Sequence, residues 1–172
     1  MKTLIPVLAF LLSPAFADAE GEHVHSSPYA GQEHRDVKSL SADDIAALET
    51  GAGWGLAKAA ELNGMPGPSH VLAMKTELHL TGEQEDRTRS IFQRMRTEAV
   101  AEGKSLVAGE QALEIALRER SIDHGGLREH LRRIEASRAN LRYIHLAAHL
   151  EMLKVLSASQ IDRYNELRGY TR

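Results

Sequence analysis

The sequence predicts an all-α protein, and three observations carry that reading. Apolar residues recur at steps of three and four along two long stretches, the period of a helix face. Aromatic content is only 5%. Two segments, "LTGEQ" at 80–84 and "LSASQ" at 156–160, have the form of helix-starting capping boxes. The 172 residues, 42% of them hydrophobic, suit one domain of ordinary size. A net charge of −3 and a pI near 6.3 give no electrostatic reason to expect a nucleic-acid or anionic-membrane partner.

Lys2, an apolar run from Leu4 to Leu12 and a small-x-small end at Ala17 or Ala19 read as a secretory signal peptide over 1–19. The run is too short to span a bilayer, and no later stretch approaches the ~20 residues a spanning helix needs. The expectation is an exported, soluble protein without membrane insertion after cleavage. The chain has no cysteine, so disulfides and a lipid-anchoring cysteine are excluded, and a metal site must use His, Met and carboxylates. Residues 20–40 are polar, carry His23, His25 and His34, and show no apolar period; they read as a flexible arm. Residues 41–172 then form a single helical domain.

Ser41 is placed to cap a helix over about 42–62, with Asp43 and Asp44 where the helix dipole favours them, weakened around Gly51, Gly53 and Gly55. "NGMPGPS" at 63–69 ends it, and Ser69 is placed to cap a short helix over about 70–79 bearing His70, Met74 and His79. Thr81 and Gln84, after Leu80, start a long helix over about 83–120. "SIDHGG" supplies a turn whose paired glycines suit a helix end, and a second long helix covers about 127–156. Ser157 and Gln160 start a last helix, with Leu156 placed to staple onto Ile161. Local capping accounts for both boxes.

In the second long helix, positions 127, 131, 134, 138, 141, 145, 148, 152 and 155 form a seam that only Arg138 and His145 interrupt. In the first, positions 92, 95, 99, 102, 106, 109, 113 and 116 form another, with Glu102 its charged exception. An antiparallel hairpin turning between Asp123 and His124 sets Arg138 opposite Gly109 and His145 opposite Glu102. One reading of the second pair is a buried His–Glu contact that fixes register. The other is a metal site, because His149 lies one turn from His145, Glu98 one turn from Glu102, and the short helix brings His70 and Met74 alongside. Three imidazoles, one or two carboxylates and a thioether suit a divalent late transition ion: zinc first, then copper, nickel or cobalt.

His79, His124 and His130 read as solvated surface, and Met95 and Met152 as core filler. "HLAAH" has metalloprotease spacing but carries Leu146 where the glutamate base belongs. No nucleophile elbow or phosphate-cradling loop is present, so a non-enzyme is expected.

"LTGEQ" and "LSASQ" resemble the paired LTxxQ motif of the Spy/CpxP family of periplasmic stress proteins, with Ser157 in place of the second threonine. "GWGLAKAAELNGMPGPSHVLAM" is similar to the lead-in of its heavy-metal-sensor and resistance branch, the ZraP- and CnrX-like members. The resemblance covers about residues 69–170. It implies a hooked helical hairpin that dimerises into a cradle in the periplasm. It also implies a role as an ATP-independent holder of unfolded envelope proteins, a regulator of a sensor kinase or anti-sigma partner, or a metal-responsive protein. Carried over by position, it assigns ligand roles to His70, to Glu98 or Glu102, and to His145. His149 stands where the CnrX-like pattern has methionine.

Overall fold

The computed structural model describes residues 27–170; the expected signal peptide and the first part of the arm lie outside them. From Gln32 onward the chain forms one compact unit, and the described residues before it, 27–31, form a turn. Among the described residues there are six helices and no strand. They are α1 (Ala42–Thr50), α2 (Lys58–Leu62), α3 (Pro68–Ala73), α4 (Gly82–Arg118), α5 (His124–Met152) and α6 (Ala158–Leu167). None is long and apolar enough to cross a membrane.

The first expected helix is two helices. Gly51 adopts φ +71° and caps α1 through bonds to Ala47 and Leu48 carbonyls, and a Cβ there would meet the Arg96 carbonyl oxygen at 3.0 Å. A left-handed residue stops a helix, and this one is fixed by its close approach to α4. Trp54, at φ +42°, follows in the turn; its indole donates to Asp44 at 2.8 Å and Arg138 stacks over its ring at 5.1 Å. Asp44 thus serves both the α1 capping box and Trp54. Chiefly the Ser41 hydroxyl, and then the indole, hold its carboxyl at about 2.

The α3 region also departs from expectation. Pro68 occupies the first turn with Gly67 as the cap, so Ser69 lies inside α3, which ends at Ala73. Proline is suited to that position because its missing N–H would have no helical partner there. At the far turn, Asp123 caps α5 by accepting from the Gly126 N–H at 2.7 Å, so Gly125 and Gly126 begin a helix and do not end one.

α4 and α5 pack antiparallel, as the Arg94–Glu151 and Arg138–Glu110 pairs show, and α1 and α3 lie on α4. Two apolar clusters form the core. One gathers Val71, Leu78, Ile91, Met95, Ala148, Met152 and Tyr164; the other gathers Leu48, Ala99, Leu106, Ile134 and Leu141; Ile144 packs on both. Each fully buried leucine contributes about 1.5–3 kcal/mol. Val37 and Leu40, expected in the flexible arm, are buried in the second cluster, with Ser39 donating to Glu110 at 2.8 Å and Lys38 paired with Glu114. Two apolar residues three apart were too short a signal to show a period.

The expected facing of Arg138 and Gly109 does not occur. The Ile134 side chain fills the space over Gly109, at 3.1 Å from a Cβ position, and Arg138 reaches Glu110 at 3.5 Å.

The capping boxes at Thr81–Gln84 and Ser157–Gln160 both form, and they also bind each other. Gln84 Nε2 donates to Gln160 Oε1 at 2.8 Å, and Gln160 Nε2 donates to Gln84 Oε1 at 3.0 Å. The remaining amide protons reach the carbonyls of Val155 (2.9 Å) and Leu78 (3.1 Å). One reciprocal amide pair therefore ties the starts of α4 and α6 and the turns that precede them.

Candidate metal site

The loop between α2 and α3 folds over α5 at His149. Gly67 makes this possible: a Cβ there would lie 2.9 Å from the His149 ring. His149 Nδ1 lies 2.9 Å from the Met65 carbonyl oxygen. That oxygen can only accept, so Nδ1 carries a proton, and in the neutral ring the lone pair falls on Nε2. This is how a backbone carbonyl orients a ligating imidazole. Gly67 N–H donates to the buried Tyr164 hydroxyl at 3.4 Å, fixing the loop from the α6 side.

A cavity of about 390 Å³ results, lined by Gly51 and Ala57, by Glu61, Gly67 and His70, by Phe92, Met95 and Arg96 of α4, and by His145 and His149. The three histidines singled out in the sequence share this cavity. His145 is 3% and His149 4% exposed. His145 Nε2 is buried without a hydrogen-bond partner. Burial, reinforced by His149, holds His145 below the usual imidazole range. Burial also lowers His70, with Arg168 acting the same way and Glu61 opposing.

The expected carboxylates are elsewhere. Neither Glu98 nor Glu102 lines the cavity; Glu98 is exposed and lines a separate surface groove with Arg94, Tyr143 and Glu151. α4 is packed by α1 and α3 as well as α5, so its buried face is wider than a two-helix seam. His145 and His149 share the cavity with Phe92, Met95 and Arg96, while Glu98 occupies the other flank of α4. The expected His145–Glu102 contact is accordingly absent. Met74 packs against the first core cluster, outside the cavity lining.

Glu61 is the carboxylate that sequence reasoning missed. Its Oε1 lies 3.4 Å from His70 Nε2, and its Oε2 accepts from Arg168 (3.2 Å) and from the Tyr170 hydroxyl (3.1 Å). No spacing in the sequence points to it, because its approach to His70 is set by the course of the Pro/Gly-rich loop between α2 and α3. Among the described residues, no group of three or more His, Asp or Glu side chains is arranged closely enough to hold an ion as they stand. Donor types fit a borderline transition ion, and ion capture would require the side chains to close on it.

No protein-family model, curated protein or solved structure matches the chain.

Proposed function

We propose that this chain is a periplasmic metal-binding stress protein that senses or buffers a divalent transition ion, zinc first, in the manner of the heavy-metal branch of the Spy/CpxP family. The observation that carries the reading is His145. A nearly closed imidazole whose Nε2 finds no partner costs free energy unless something occupies it. It shares its cavity with two further imidazoles, one already oriented by a backbone carbonyl. His70, His145 and His149 would hold the ion, with Glu61 as the carboxylate in reach. Binding requires neutral imidazoles, which burial favours at His70 and His145.

Isothermal calorimetry of the mature protein with zinc, copper(II) and nickel salts tests this. Wild-type protein binds one ion per chain, and His145→Ala and His149→Ala each weaken binding at least about tenfold. Unchanged affinity in both variants rules out the site.

A second reading, a metal-independent holdase for unfolded envelope proteins, is favoured by exposed apolar groups on α5: Tyr143 is 72% and Leu150 55% exposed. Full suppression of client aggregation in excess chelator would support it over metal sensing.

A further inference from the structure

Three buried side-chain polar atoms among the described residues lack a hydrogen-bond partner: His145 Nε2, Asn165 Oδ1 and Arg168 Nε. The first belongs to a residue that lines the cavity. The other two lie in the short segment from Tyr164 to Tyr170, at the end of α6, that grips the same loop. Asn165 Nδ2 donates to the Gly64 carbonyl at 3.2 Å, and the Tyr164 hydroxyl accepts from Gly67. Arg168 donates to both Glu61 (3.2 Å) and the Tyr170 hydroxyl (3.2 Å), and stacks on the Tyr170 ring at 5.6 Å. Glu61 therefore stands between two claimants. One oxygen faces His70 in the cavity, and the other holds Arg168 and Tyr170.

We infer that residues 164–170 form a strap whose grip on Glu61 reports the occupancy of the histidine cavity. The inference rests on the metal-binding reading and adds to it the route by which occupancy leaves the site. A divalent cation taken up beside His70 attracts the Glu61 carboxylate and repels the Arg168 guanidinium through the same short distances. Both effects oppose the Glu61–Arg168–Tyr170 contacts. Ion binding and strap closure are thus antagonistic, and the coupling is reciprocal: whatever factor the strap takes from ion affinity, the ion takes from strap closure. Two partnerless polar atoms in the strap mark a closed state that is incompletely satisfied, as a two-state element needs to be.

The test measures both sides of that equality on the full mature protein, with zinc, nickel and copper(II) salts in turn. Amide exchange is followed at Arg168, Gly169 and Tyr170, whose N–H groups bond to Tyr164, Glu166 and Asn165 carbonyls. Ion affinity is measured by chelator competition for wild type, Arg168→Gln and Tyr170→Phe. The expected result is about tenfold faster exchange at those amides when the ion binds, and about tenfold tighter binding by Arg168→Gln. Tyr170→Phe, which removes one hydroxyl, shifts affinity in the same direction and stands in if Arg168→Gln loses its helical circular dichroism. Ion binding with unchanged strap exchange and unchanged variant affinity overturns the strap and leaves the metal site intact. Absence of binding by all three ions removes the metal site, and the strap's role with it.

Discussion

A histidine that is closed off and unpaired makes a measurable demand on the solution around it. His145 resists protonation in the folded protein because its ring is buried beside His149, whereas the unfolded chain takes the proton near pH 6.5. The folded value lies below the unfolded one. Its contribution to stability is therefore complete above about pH 6.5 and declines as pH falls from there toward the folded value. His70 is shifted in the same direction. Metal-free protein should lose stability between pH 7 and pH 5, by at most about 1.4 kcal/mol per pH unit from His145 and by less from the part-exposed His70, and His145→Leu should flatten the profile. Thermal melts across that range, in chelator, check this; a wild-type melting temperature that does not fall would contradict the assignment. His70, His145 and His149 were legible as one group because two share a helix face and the third follows a loop that must fold back. Glu61 was not, because its reach to His70 depends on the course of that loop, which spacing along the chain does not encode.

Among the helices, the capping boxes show how a local device acquires a tertiary role. Replacing Thr81 by alanine removes a cap and should cost about 1 kcal/mol. Gln84→Ala also removes both bonds between the two glutamine amides and leaves the Val155 carbonyl without its side-chain donor, and should cost about 2 kcal/mol, lowering the melting temperature by about 4–8 °C. Equal losses in the two variants would mean that the amide pair contributes nothing. Gly103→Ala tests the seat of α1, because a Cβ there would lie 2.2 Å from the Leu48 carbonyl oxygen. Such a clash forces α1 away from α4 and should cost about 1–3 kcal/mol, read from chemical denaturation at unchanged m-value. The starts of α4 and α6 and both long helices were readable from capping chemistry and period. The break after Thr50 was only half readable: glycines marked weakness, but the close approach of Gly51 to the Arg96 carbonyl is a tertiary fact.

Over the whole molecule, α4 is the spine, and what rests on it changes along its length. From its start to Glu114 it carries α1, α3 and the segment containing Val37 and Leu40, and this third layer is what displaced Glu98 and Glu102 from their expected place. A pattern of threes and fours reports that a helix is buried, not how many neighbours bury it, so a two-helix seam was the simplest reading and placed the carboxylates on the wrong flank. Past Glu114 the third layer ends. From Ile115 through Arg133 no residue is buried, and Ile115, Leu117 and Leu131 are exposed. That stretch is a cantilever: two helices leaning only on each other, projecting from a clamped base. Its amides should exchange far sooner than those around Ala99, and gentle heating should fray it while the histidine cavity is still closed.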